Sequence, residues 1–469
     1  MVTIMFSSQI LRPQCTALLI LLSLVFLAGN AFAFDKPNIV IMFVDDLSWM
    51  DLGTHSEIID TPNIDRFAEE GVTFKRTYAD APVCSPSRVG MITGQHPARH
   101  EFFRHVGAGG KHQFDKFGRT DDAYSYWEGD PAGMPSRNWL PLEVTTVAER
   151  LSDSGYHTAF VGKWHLGHEP YHPVKQGFDE QHGVSNYGHP KSYYPPFFSQ
   201  AMVYEDAPED AYLTDLVTSD AVKVIERAAE SDQPLFLSLW WYNVHNPFVG
   251  KKDLVKKYEG RGLEGRNAHL AAMVEAIDQS FSRIEQALDK AGMLENTIVV
   301  FTSDQGGYFD HPPIKGKKTG GLALYEGGAR VPLFIRWPGQ FPQGVAIDRP
   351  VSLLDIAPTI LIPAGADTSD LDGEDLATMV QNPNRAVRPI VMYRHYEDLY
   401  AAVVVDNWKL LVSVSGNHEL YDLDDDISES QNLAAENPEK LAELLTVLET
   451  WKVEKDIKRF NTVEVSISG

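Results

Sequence analysis

The hydrophobic and polar positions alternate between two kinds of segment. Asn38–Val44 (NIVIMFV) is a continuous apolar run between Pro37 and the acidic pair Asp45-Asp46. It predicts a strand buried on both faces. Leu235–Tyr242, Thr297–Thr302 and Val331–Trp337 are runs of the same kind, and His157–Val161 is a shorter one. Between them lie helical patterns: Thr61-Pro62 to Gly71, Val144–Ser154 closed by Gly155, and the amphipathic Tyr212–Ala229. The clearest is Asn267–Ala291. Its apolar residues Leu270, Val274, Ile277, Phe281, Ile284 and Leu288 step by four and three, and Gly292 follows as a terminator. Helices alternating with fully apolar strands predict an α/β fold, with a mostly parallel central sheet sandwiched by helices.

The pattern changes near residue 385. Ile390–Tyr393, Ala401–Val405, Trp408–Val414 and His418–Tyr421 are short strands with tight connections, followed by one helix, Pro438–Trp451. A smaller C-terminal antiparallel sheet with a helix is expected, giving boundaries of 34–385 for the main domain and 386–469 for the second. Residues 100–142 and 182–210 are long, irregular and rich in His, Tyr, Phe, Gly and Pro. Loops of that length serve a site or pack a subdomain. Residues 1–33 read differently. Arg12, the apolar run Ala17–Ala28 and Ala31-Phe32-Ala33 form a charged, apolar and small-residue sequence expected of a secretory signal, hence an exported, periplasmic or secreted product. The run is shorter than a membrane span requires, so no stable membrane insertion is expected.

Composition narrows the function. Hydrophobic residues make up 43% and charged residues 23%, which is globular. The net charge of -24 argues against nucleic acid as a partner, since phosphate contacts need clustered Lys and Arg. Cleavage after Ala33 would remove Cys15 and leave Cys84 as the lone cysteine, excluding an internal disulfide.

Ligands of parallel sheets sit beyond the strand C-termini. Four predicted strands end in polar clusters: Asp45-Asp46, Gly162–Gly167 (GKWHLG), His245-Asn246-Pro247, and Asp304-Gln305-Gly306-Gly307. Asp45, Asp46, Asp304 and Gln305 offer only oxygen ligands, which suit Ca²⁺ or Mg²⁺. Lys163, His165, His245 and Arg88 add donors suited to a tetrahedral oxyanion. In Cys84-Ser85-Pro86-Ser87-Arg88, Ser85 is a plausible N-cap and Pro86 fits a first helical turn. Cys84 then lies at a helix N-terminus, where the dipole favours a thiolate.

The run Cys84-x-Pro86-Ser87-Arg88-x4-Thr93-Gly94 resembles the signature of type I sulfatases of the alkaline phosphatase superfamily. It is accompanied in order by Asp45-Asp46, the 162–167 run, His245-x-Pro247, Ser303-Asp304-Gln305-Gly306 and Tyr325–Pro332 (YEGGARVP). Leu420–Leu423 with Glu429, Asn432 and Leu433 resembles the C-terminal subdomain. The likeness is to bacterial polysaccharide sulfatases, and it spans nearly all of the chain after residue 33.

The resemblance implies that a maturation enzyme oxidises Cys84 to Cα-formylglycine (3-oxoalanine). One hydroxyl of its hydrate attacks sulfur; the other then loses its proton and expels sulfate. It further implies one Ca²⁺ held by Asp45, Asp46, Asp304, Gln305 and residue 84. Arg88 would orient the formylglycine, and Lys163 and a second lysine would hold the sulfate. His165 would take the proton that expels sulfate, and His245 would protonate the leaving alcohol. The substrate class implied is a sulfated carbohydrate.

Two positions depart from the family pattern. Gln305 stands where Asn is frequent, and Gly321 where the distal lysine is usual. Lys318 is taken for that lysine, with Lys317 and Lys315 as alternatives. Two other functions remain open at this stage: phosphate ester or phosphonate hydrolysis, and silent glycan binding by an unmodified Cys84.

Overall fold

A computed structural model describes residues 36–107, 114–127, 129–200, 203–386 and 388–457. The expected signal sequence, 1–33, lies outside the described residues. The large sheet has nine strands: β1 (Asn38–Val44), β2 (Val72–Tyr78), β3 (His157–Gly162), β4 (Glu180–His182), β5 (Leu235–Trp240), β6 (Thr297–Ser303), β7 (Arg330–Val331), β8 (Leu333–Arg336) and β9 (Val345–Ser352). Their order is β9-β2-β8-β6-β1-β5-β3-β4, with β7 also on β2.

The four strands whose ends carry the polar clusters lie side by side and parallel, as β6-β1-β5-β3. Alternate residues of β1 enter two different cores. Val40, Met42 and Val44 join one cluster with Val217, Met273 and Phe281. Ile39, Ile41 and Phe43 join another with Val89, Leu151 and Ile360. The first face is covered by α3 (Leu213–Ala228) and α4 (Gly265–Lys290). The second is covered by α1 (Cys84–Thr93), α2 (Val147–Asp153) and α5 (Ile356–Ala364). An apolar residue at every position from Ile39 to Val44 is thus required by burial on both sides.

The apolar run Val331–Trp337 is broken at Pro332 into β7 and β8, and both run antiparallel to their neighbours. Proline has no N–H for the ladder, and the break falls there.

The second sheet is β10 (Ile390–Tyr393), β11 (Leu399–Val405), β12 (Trp408–Ser413) and β13 (Glu419–Asp422), antiparallel in chain order. On one face α6 (Pro438–Glu454) buries Leu444 and Leu448 against Val391, Val403 and Val412. On the other, Met392, Val404 and Leu411 pack on Tyr78, Leu324 and Ala329 of the main sheet's surroundings. A buried ion-pair cluster crosses this junction. Lys409 Nζ lies 2.8 Å from Glu326 Oε1 and 2.9 Å from Glu429 Oε1, all three side chains being inaccessible. Among the described residues no helix is long and apolar enough to cross a membrane.

Candidate active site

Strand register assembles the site. β1 pairs with β6 up to Val44–Ser303, so the next residues, Asp45 and Asp304, leave the sheet together. Trp240 of β5 pairs with both Phe43 and Gly162, which brings Lys163 to the same edge. Only glycine fits at 162: its φ is 107°, and a Cβ there would lie 2.0 Å from the Trp240 carbonyl oxygen.

Arg88 projects from α1 between the acids. Its Nη2 donates to Asp45 Oδ1 (3.1 Å) and Asp304 Oδ2 (2.9 Å), and its Nη1 to the Lys163 carbonyl (3.0 Å). Its guanidinium is thus held by the two carboxylates and a backbone carbonyl, beside Cys84 at the start of the same helix. Lys163 Nζ donates to Asp45 Oδ2 at 2.5 Å. The Asp46 N–H donates to Asp304 Oδ1 at 2.9 Å. Asp46 itself adopts a left-handed conformation (φ 62°), which turns its side chain back toward the cluster.

Helix α1 begins two residues earlier than the sequence suggests. The cap is Val83, Cys84 is the first helical residue, and Ser85 is not the N-cap. Pro86 still falls in the first turn, where no N–H is needed. The Ser85 hydroxyl has another task. It donates to the His165 carbonyl (2.8 Å) and accepts from the Val106 N–H (2.9 Å), tying two loops to the helix start.

Cys84 is buried and unpaired by disulfide. Its Sγ accepts from Lys318 Nζ (3.3 Å) and Gln305 Nε2 (3.2 Å). Burial alone would raise this thiol, but the Lys163 and Lys318 ammonium groups overcome it and hold it well below its usual value. Lys318 also donates to Asp46 Oδ2 at 2.5 Å. Burial works against its charge, yet Asp46 and Cys84 keep the ammonium protonated. Lys317 turns to Asp310 (2.7 Å), and Lys315 lies over the Tyr325 ring near Tyr421. Of the three lysines only Lys318 enters the cluster.

The two histidines are fixed as opposites. His165 Nε2 faces the Val106 carbonyl at 2.9 Å. A carbonyl only accepts, so Nε2 carries the hydrogen and Nδ1 is a bare acceptor. That Nδ1 is buried without a hydrogen-bond partner. Burial, helped by Lys163, pushes the ring down to about 4, so it stays neutral near pH 7. Gly188 backs the ring so closely that a Cβ would lie 2.3 Å from it. His245 is the reverse. Its Nδ1–H donates to the Asn246 carbonyl (2.7 Å), and Nε2 faces the Tyr308 hydroxyl (3.3 Å) and Asp46 Oδ2 (3.7 Å). Asn246 Nδ2 in turn donates to Tyr308 (2.8 Å).

Tyr308, Asn246 and His189, whose ring lies parallel to His245 at 5.1 Å, were not singled out from sequence. Tyr308 is four residues past Asp304, a proximity that could have flagged it. His189 lies in an irregular loop with no such signal.

The donor set fits a hard divalent cation. One ligand atom from each of Asp45, Asp46, Cys84 and Asp304 lies within 4.8 Å of the others, all buried. Burial and the neighbouring Asp45 charge drive Asp304 well above its ordinary value and raise Asp46 in spite of Arg88 and Lys318, so the cluster holds more negative charge than its two cations relieve. Gln305 presents its amide nitrogen to Asp46 Oδ1 (2.8 Å); as a ligand it would turn its oxygen inward.

Above Cys84 opens a cavity of about 710 Å³. Both long loops contribute to it: Phe114, Asp115 and Gly118 from one, Asn186–His189 and Ser199 from the other. Other aromatics of these loops, including Phe102, Tyr193, Phe197 and Phe198, are core. The loops therefore serve both the site and the packing.

Comparison with known proteins agrees with this geometry. The sulfatase family model matches residues 37–366, and that of the N-sulphoglucosamine sulphohydrolase C-terminal region matches 322–455. N-acetylgalactosamine-6-sulfatase of Canis lupus familiaris is 33% identical over 413 residues, covering 81% of this chain and 72% of that protein. Arylsulfatase G of the same species is 30% identical over 378 residues, covering 71% of this chain and 64% of that one. The solved structure of Ps i-CgsB in complex with k-i-k-neocarrahexaose has a TM-score of 0.76 and 28% identity, covering 90% of this chain and 93% of that one.

Proposed function

The chain belongs to the sulfatase family and is a sulfuric ester hydrolase; from that premise we propose that it desulfates a sulfated carbohydrate, with residue 84 as nucleophile. A relative named for N-acetylgalactosamine and a structural neighbour holding a neocarrahexaose support the carbohydrate. The observation that carries the residue roles is the placing of Cys84 Sγ between Lys318 and Gln305, beside three buried carboxylates.

Residue 84, as formylglycine, would supply a hydroxyl nucleophile; Asp45, Asp46, Asp304, Gln305 and residue 84 would hold a Ca²⁺ ion, which would supply Lewis-acid positive charge at this edge. Lys163 and Lys318 bring two ammonium groups to the same edge, and they bind and orient the sulfate oxygens. Arg88 keeps Asp45 and Asp304 in place, its charge offsetting part of the cost of ionising them. His165, neutral with Nδ1 bare, accepts a proton from residue 84 when sulfate departs. His245, once protonated at Nε2 beside Asp46, donates that proton to the leaving alcohol oxygen. Tyr308 and the Asn246 carbonyl fix its ring.

The reading is tested with matched aryl sulfate and aryl phosphate. A larger kcat/KM for the sulfate is expected, and a much larger value for the phosphate would overturn it. Mass spectrometry of the peptide bearing residue 84 is expected to show the aldehyde. Unconverted thiol without turnover would favour a binding protein.

His245→Ala gives a sharper test of the proton donor. A poor leaving group needs protonation and an activated phenol does not. Turnover of an alkyl or sugar sulfate should fall by about 10²–10⁴-fold, with a much smaller loss for 4-nitrophenyl sulfate. Equal losses would contradict the role.

A further inference from the structure

The cavity wall carries charge that sulfate transfer does not use. In a chain of net charge -24, Asp115 is the single acidic side chain lining the cavity among the described residues. Asp115 is turned away, its Oδ1 accepting from the Phe117 and Arg119 N–H groups at 2.8 and 2.9 Å. Among the described residues, three basic side chains outside the sulfate-transfer set line the cavity and are solvent-accessible: His105, His189 and Lys191.

Lys191 stands apart from the other lysines near the site. Lys318, Lys317 and Lys315 each have a polar partner. Among the described residues the Lys191 ammonium has no ion pair or hydrogen bond. Its backbone is nevertheless fixed, with its N–H donating to the Phe197 carbonyl at 2.6 Å. Two residues on, the Tyr193 hydroxyl donates to the carbonyls of Tyr242 (2.5 Å) and His245 (2.8 Å). The segment bearing Lys191 is thus anchored to the strand end bearing His245, on the side where the leaving alcohol belongs. His189, two residues before Lys191, lies with its ring parallel to that of His245 at 5.1 Å. Its Nδ1–H donates to the Pro190 carbonyl (3.0 Å), leaving Nε2 as an acceptor for a sugar hydroxyl.

We propose that this wall reads a second anionic substituent of the substrate, a sulfate or carboxylate on the same sugar or its neighbour, through the Lys191 ammonium. The proposal rests on the sulfuric ester hydrolase reading and narrows its substrate to a carbohydrate with at least two negative charges. A lysine held on an anchored segment, facing an enclosed cavity, loses less freedom on binding an anion than one on open surface.

The test uses the full protein and Lys191→Gln, with four substrates: 4-nitrophenyl sulfate, a neutral monosulfated oligosaccharide, its disulfated counterpart, and one carrying a uronate. For a doubly charged substrate KM should rise about tenfold with kcat nearly unchanged. The aryl and neutral monosulfated substrates should be unaffected, and Lys191→Arg should restore most of the loss. The salt dependence of KM should also flatten in the glutamine variant. A loss confined to the disulfated or the uronate-bearing arm identifies the second group as sulfate or carboxylate. No loss on either, or an equal loss on all four substrates, would overturn the proposal. Failure of the wild type to turn over the aryl sulfate would instead refute the underlying reading.

Discussion

Cys84→Ala should reduce sulfate ester turnover by about 10⁵–10⁶-fold, to background, the scale on which nucleophile removal is felt. The fold should persist. Cys84 forms no disulfide, and the deletion removes one sulfur atom from the first turn of α1. A loss of about 1 kcal/mol in stability is the expected order. Lys318 retains Asp46 and Lys163 retains Asp45, so neither buried ammonium is left alone. Steady-state assay, calorimetry and calcium analysis of one preparation check the three parts. Retained turnover would refute the nucleophile. Turnover lost with calcium retained isolates the nucleophile; calcium lost as well would place the effect on the ion, since residue 84 is one of its proposed ligands.

Asp304→Ala should act through the cation. The wild type should hold one calcium ion per chain, and the variant close to none, with turnover down by about a thousandfold or more. Its effect on stability has two opposing parts. Arg88 loses its 2.9 Å contact but keeps Asp45, which weakens a buried pair. Burial and Asp45 already disfavour an ionised Asp304, so deleting it relieves repulsion in the metal-free state. Melting in chelator should therefore be similar for the two proteins. Added Ca²⁺ should raise the wild-type midpoint and leave that of the variant unmoved, because only a protein that binds the ion is stabilised by it. Full calcium occupancy with undiminished activity in Asp304→Ala would contradict the assignment.

What the sequence made legible was what burial dictates. Four apolar runs ending in polar clusters were enough to predict a parallel sheet with one chemical edge, because a strand covered on both faces has no polar position to spare. Strands with exposed or charged positions were harder to read. β2 carries Lys75 and Arg76, and β9 carries Asp348, Arg349 and Pro350, so neither has the apolar pattern of a central strand. The short signature run placed Cys84 at a helix start but misassigned Ser85, because a serine before proline serves equally as a cap or as a tether between loops. The distal lysine could not be chosen by counting, since the Lys315–Gly321 stretch departs from the usual spacing. The Lys318 N–H bond to the Gly307 carbonyl at 2.7 Å shows how the fold orients that stretch. Residues that act by bracing, such as Tyr308 and Asn246, have no sequence pattern, since their meaning lies in hydrogen bonds formed only after folding.

The Lys409 ammonium beneath the second sheet neutralises Glu326, the acid of the turn just downstream of Lys318. Arg330 lies 3.4 Å from Glu326 on one side and Glu429 2.9 Å from Lys409 on the other, and the Lys409–Glu326 contact joins the two pairs across the junction. A chimera that took residues 386–457 from a distant homologue would have to import a matching cation at this one spot. Lineages can thus be expected to inherit the two sheets together, whatever happens to the loops that choose the sugar.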